Sequence, residues 1–339
     1  MTRLACALIS AIILITSSSC TAQGGVARDP GKVVQAHPAQ AKPYPIFGRL
    51  YAVKGGTLYR FSGTTLRALT HQVTVKDPAT SADGSELAFA QFGAQDSTIM
   101  MTGADLFALR AITPPAGPEG PLWAVEPAFA PDGSGLTYLT DRGKAGGPND
   151  LGIWEYDLRS GQSRRLTIPV AYTGGDSDQT FRPGASPALL FTTYLYDGDP
   201  PQPVARLTWM SLRTYRQAYL SPSLERNFQP AVSPDGQFLA YVHAAPTGDE
   251  LAVTRLPDAP GAPPYPTQAA SVIQGGMVAH PVWSPDGRSL AFLRLVNGSF
   301  DLYVLPLSID ATGIHAQGAP IALTQGSFFD ADSRLSWSP

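Results

Sequence analysis

Beyond residue 47 the chain is written in short apolar segments whose side chains alternate with polar ones, each segment cut off by Gly, Pro, Asn or Asp. A period of two marks strands with one buried face. The strands Leu87-Ala88-Phe89, Leu136-Thr137-Tyr138, Leu239-Ala240-Tyr241 and Leu290-Ala291-Phe292 each follow one phrase. Its copies are Pro78-Ala79-Thr80-Ser81-Ala82-Asp83-Gly84, Pro127-Ala128-Phe129-Ala130-Pro131-Asp132-Gly133, Pro230-Ala231-Val232-Ser233-Pro234-Asp235-Gly236 and Pro281-Val282-Trp283-Ser284-Pro285-Asp286-Gly287. Asp-Gly between two apolar strands predicts a hairpin, with glycine taking the positive φ and aspartate capping the turn. A third strand follows, as in Ile153-Trp154-Glu155-Tyr156 or Asp301-Leu302-Tyr303-Val304, and then a fourth ending in Leu69-Thr70, Ile112-Thr113, Leu166-Thr167 or Leu323-Thr324. Four antiparallel strands in about fifty residues make one propeller blade.

A worn copy, Pro183-Gly184-Ala185-Ser186-Pro187, leads into Leu189-Leu190-Phe191, and a sixth, Leu335-Ser336-Trp337-Ser338-Pro339, supplies only a first strand. The other three strands of that blade are written at the opposite end, in Arg49 to Val53, Thr57 to Phe61 and Thr65 to Thr70. The expected fold is therefore all-β: a six-bladed β-propeller over residues 48–339, closed by one C-terminal strand joining three N-terminal strands, which removes the exposed sheet edges.

The Pro-x-aromatic-Ser-Pro-Asp-Gly phrase, with Leu-Ala-Phe after it and a trailing Leu-Thr, resembles the WD-type repeat of the TolB-like propellers of exported bacterial proteins. The resemblance spans almost everything after residue 47. It implies a periplasmic protein-interaction role in the cell envelope, although a propeller fold alone hosts binding scaffolds, lyases and peptidase appendages alike.

Composition narrows the partners. The 24 Lys+Arg against 27 Asp+Glu give a net charge of −3, so the uniform cationic field of a nucleic-acid binder is absent. With 33 Gly and 32 Pro, helices would be interrupted constantly. Met1-Thr2-Arg3 precedes an apolar run from Leu4 to Ile15 and a small-residue stretch ending in Cys20. This reads as an export signal over residues 1–19, too short to span a bilayer permanently. Its end resembles a lipobox with Cys20 as the lipidated residue and Ser17 where an aliphatic residue is usual. The alternative is an ordinary cleavage near Ala22 that leaves a soluble secreted protein. Residues 20–47, rich in Gly, Ala, Gln and Pro, read as a flexible tether. The other cysteine, Cys6, lies in the signal, so thiolate metal sites are excluded from the mature body.

No Gly-x-Ser-x-Gly elbow, His-Glu-x-x-His or phosphate loop occurs, and no cofactor is implied. The repeat alignment instead collects one residue per blade just ahead of the leading proline or its equivalent: Asp77, Glu126, Arg182, Gln229, His280 and Arg334. These are expected to ring one mouth of the central channel, with Trp123, Asp176, Asp178, Phe328, Phe329, Asp330 and Asp332 on loops nearby. A mixed-sign ring suits a polar ligand or the end of a peptide. The plainer alternative is that polar residues merely line a solvated mouth. Metal binding by Asp77, Glu126 and His280 would require convergence across blades, and none is assigned. The functional expectation is a monomeric, non-enzymatic recognition module for a protein, peptide or glycan, touching membrane only through its lipid. The alternative is a polysaccharide lyase or hydrolase drawing acid and base from the mouth carboxylates.

Overall fold

The computed structural model describes residues 44–117, 120–143, 150–220, 225–257, 270–310 and 313–339. The segment read as an export signal, Cys20 and most of the expected tether lie outside the described residues. The fold is a six-bladed propeller of antiparallel blades, with no helix among the described residues. The inner strands are Thr74–Thr80, Ala124–Phe129, Asp176–Arg182, Asn227–Val232 and Val278–Trp283 in the first to fifth blades, and Ser336–Ser338 in the sixth. In that sixth blade Ser336–Ser338 pairs with Ile46–Lys54, followed by Thr57–Gly63 and Thr65–Ala68, so the ring closes head to tail. Arg49 Nε donates to the Pro339 carbonyl (2.9 Å) and Trp337 Nε1 to the Phe47 carbonyl (2.8 Å), which fastens the junction.

In the first, fourth and fifth blades the recurrent phrase builds the first hairpin by a local network. In the fourth blade Ser233 Oγ donates to Asp235 Oδ1 (2.5 Å) and accepts from the Phe238 amide (2.9 Å), while the same carboxylate oxygen takes the Gln237 amide (3.0 Å). Ser81/Asp83 and Ser284/Asp286 repeat the arrangement, and Gly84, Gly133, Gly236 and Gly287 all hold φ near +70°. The trailing threonine has an equally defined task. Thr70, Thr113, Thr167 and Thr324 each accept, through Oγ1, the amide of Leu58, Ile99, Ile153 and Leu302 at 2.9–3.0 Å, tying the end of the blade to its third strand.

The core lies between blades rather than around a single centre. Six buried apolar clusters each join two consecutive blades. Trp209 of the third blade packs with Tyr241 and Ala252 of the fourth, and Trp337 of the sixth with Leu293 and Val304 of the fifth. The alternation read in the sequence therefore faces both neighbours at once.

Candidate functional site

Five inner strands carry a bulge at the same place. Pairing with the second strand shifts between Lys76 and Ala79, Val125 and Ala128, Ser177 and Thr180, Phe228 and Ala231, and Ala279 and Val282. The first residue inside each bulge has positive φ: Asp77 55°, Glu126 51°, Asp178 55°, Gln229 55° and His280 50°. A left-handed conformation is unfavourable for such side chains, so the surroundings must hold it. It turns each backbone N–H away from the ladder, and that donor needs an acceptor.

Ring side chains of the neighbouring blade supply three of the five acceptors, and Ser333 Oγ takes the Asp77 amide (2.9 Å). The Glu126 amide donates to Asp77 Oδ2 (3.3 Å), the Asp178 amide to Glu126 Oε2 (2.5 Å) and the His280 amide to Gln229 Oε1 (2.8 Å). Between the third and fourth blades Thr192 relays: its Oγ1 accepts the Gln229 amide (3.1 Å) and donates to Asp178 Oδ2 (3.2 Å). The Arg334 amide donates to Asp77 Oδ1 (3.1 Å) across the closure. Five of the six residues collected from the sequence, Asp77, Glu126, Gln229, His280 and Arg334, thus share one belt of interblade bonds.

Two sequence assignments change place. Arg182 is not in the belt; Asp178 holds the third-blade position, with Gln179 where the other bulges have proline. Arg182 lies four residues on, its Nε donating to the Gly236 carbonyl (2.9 Å) and its guanidinium 4.9 Å from the Trp209 ring centre, so it pins the third blade to the fourth. The physical reason is a degraded third repeat: without proline at 179, the later prolines at 183 and 187 imitate the phrase. Trp123 stands apart as well, its ring 5.9 Å from Phe92 and its amide bound to Asp141. Of the loop residues, Asp330 caps the Gly55 and Gly56 amides (2.8 Å each), Asp332 pairs with Lys76, Phe329 is buried and Phe328 exposed.

Burial sets the electrostatics of the belt. It pushes the Asp77 carboxyl up to about 6, against the lowering effect of the Arg334 amide and charge, and it raises Glu126 well above the usual range with help from the charges of Asp178 and Asp77. His280 is lowered by burial, more than Asp178 nearby (Nδ1 to Oδ1, 3.8 Å) restores. Its Nε2 faces the Ala331 carbonyl at 3.0 Å and therefore carries the proton.

Arg334 reaches across the channel from the sixth blade to the third, where Nη2 donates to the Gln179 carbonyl (2.9 Å). Gln179 is fully buried, and its Nε2 donates to the Glu126 carbonyl. Gln179 Oε1 and Arg334 Nη1 remain buried without a hydrogen-bond partner. Both residues line an axial cavity of about 330 Å³, together with Asp178, Gln229 and His280, the leading prolines and the hairpin-turn prolines 131, 183, 234, 285 and 339. Of these two residues the repeat alignment gives Arg334, whereas it misses Gln179, which carries no repeat signature. Among the described residues no group of three or more His, Cys, Asp or Glu is placed to hold a metal ion.

No family model matches the chain. Several solved structures share its fold. TolB from Acinetobacter baumannii is 15% identical at a TM-score of 0.64, covering 86% of this chain and 67% of that one. The TolB-designated protein of Agrobacterium tumefaciens is 16% identical at 0.58, covering 86% and 94%. A chain of the nidogen/laminin complex is 11% identical at 0.60, covering 86% and 98%. At such identities the likeness is one of fold alone, the six-bladed propeller anticipated from the repeats.

Proposed function

We propose that this chain is an exported, non-enzymatic recognition propeller that receives a segment of a cell-envelope protein in its axial cavity. The observation that carries the reading is an axial cavity walled by Arg334 and Gln179, each of which keeps one buried polar atom, Nη1 and Oε1, without a partner. A donor and an acceptor on two residues of one cavity wall fit a group offering both, such as a peptide or carboxamide unit, and leaving them unmet costs free energy that a ligand reaching them would recover. Apolar walls from Ala128, Phe129, Phe181, Ala231, Val282 and Trp283 suit the attached side chains. Similar folds serve in proteins named TolB and in a component of the nidogen/laminin complex, which supports a scaffold role. Lipidation of Cys20, with residues 20–47 as tether and the propeller as a monomer beyond it, would hold the module at a membrane surface.

The carboxylates argue against an acid–base enzyme at the same place. Both oxygens of Asp77 and one of Glu126 accept backbone amides of neighbouring blades, so they are committed to holding the fold. The test is capture of envelope proteins by the purified propeller beside its Arg334→Met and Gln179→Met variants, with thermal melts as the folding control. A specific partner held by the parent and lost from both folded variants is the expected result. Equal capture by all three overturns the axial assignment.

A further inference from the structure

A second cavity, of about 260 Å³, opens off the axis between the second and third blades. Its floor is Asp176, 3% exposed, with the hydroxyls of Thr167, Thr193 and Thr208 around it. The direction of each hydroxyl bond follows from its partners. Thr167 Oγ1 accepts the Ile153 amide and therefore donates to Asp176 Oδ2 (2.6 Å). Thr193 Oγ1 donates to Asp176 Oδ1 (3.0 Å), so in its 2.8 Å contact with Thr208 the latter must be the donor. Two hydroxyl hydrogens are thus turned onto the carboxylate and the third onto Thr193 Oγ1, and the lone pairs left over make the floor a set of acceptors.

Among the described residues no positive charge answers that carboxylate. Arg206 lies across the strand ladder from Thr193, but its guanidinium is paired with Asp197 and stacked 4.8 Å from the Tyr219 ring centre. Burial lifts the Asp176 carboxyl to about 6, offset only by the Thr167 and Thr193 hydroxyls, which leaves it ionised at neutral pH. A buried carboxylate without a counter-charge is costly, and a cation bringing its own N–H donors relieves it. The rim is of another kind. Ile168, Val170 and Tyr219 are 73%, 54% and 45% exposed, so three apolar or aromatic side chains surround an acceptor-only floor.

We propose that this seam cavity binds a primary alkylammonium group such as a lysine side chain, with the ammonium on Asp176 and Thr208 and the methylenes against Ile168, Val170 and Tyr219. Tyr219, already in contact with one cation, offers its ring to the alkyl chain and ammonium. This site is separate from the axial one.

The probe is Nα-acetyl-lysine amide, titrated against the full chain by calorimetry or NMR, beside Nα-acetyl-norleucine amide as an uncharged analogue. Saturable binding of the lysine probe, at least about tenfold tighter than the norleucine probe, is expected from the charge-assisted contact. Asp176→Asn should weaken it about tenfold or more, while Arg334→Met leaves it unchanged. Equal affinity for the two probes, no saturable binding, or an Asp176→Asn protein that binds as the parent does would overturn the assignment. If Asp176→Asn does not fold, Tyr219→Ala on the exposed rim decides: a several-fold loss supports the site, and parental affinity refutes it.

Discussion

The axial belt and the seam cavity both contain an aspartate raised to about 6 by burial, Asp77 in one and Asp176 in the other, yet the two groups do different work. Asp77 accepts two backbone amides exposed by the bulge and the closure, so its carboxylate replaces ladder bonds. Asp176 accepts only side-chain hydroxyls that could rotate the other way. A perturbed pKa alone would rank them equal. The identity of the donors separates a structural acid from one free to meet a ligand.

The strongest way to break this contrast is to pry open the seam while sparing the axis. Gly175 has φ +79°, and a Cβ there would lie 2.4 Å from both the amide nitrogen and the carbonyl oxygen of Leu151. Gly175→Ala should cost about 3 kcal/mol or more, read by denaturant unfolding, and should abolish binding of the lysine probe. Next in size, Asp77→Ala orphans the Glu126 and Arg334 amides and should cost about 2–3 kcal/mol. Asp176→Asn, by contrast, should stay within about 1 kcal/mol of the parent at pH 7, since the amide keeps an acceptor for Thr167 and a donor for a reversed Thr193–Thr208 chain. Equal losses would erase the distinction.

The smallest effect is in the pH dependence of stability. The folded-state pKa values of Asp77, Glu126 and Asp176 lie above their unfolded values, so the folded state binds more protons and stability falls as pH rises, through about 6 for Asp77 and Asp176. His280, lowered by burial, acts in the opposite sense and loses stability as pH drops below its ordinary range. Three carboxyls against one imidazole predict a melting temperature several degrees higher at pH 5.5 than at pH 8. The gain should be smaller in Asp176→Asn, and a melt that rises toward pH 8 would contradict it.

The repeats made the propeller legible because each conserved-looking phrase is a folding device in its own right: serine, aspartate and glycine close the hairpin, and threonine ties down the third strand. Five of the six belt positions follow from that phrase. The third was legible only through spacing, since placing Gln179 in the proline position gives intervals of 52 and 51 residues instead of 56 and 47. The seam cavity left no comparable trace. Thr167, Asp176, Thr193, Thr208 and Tyr219 come from five separate segments, and nothing local marks them as neighbours until the blades are laid side by side.

Arg334, thrown from the last blade onto the third, acts as a bolt through the hub. With its guanidinium seated on Gln179 and His280 latched to Ala331, a molecule entering among the hairpin prolines meets a barrier before it could emerge on the far side. Occupation of the axial cavity would therefore bear directly on the closure of the ring, because the same side chain lines the one and belongs to the other.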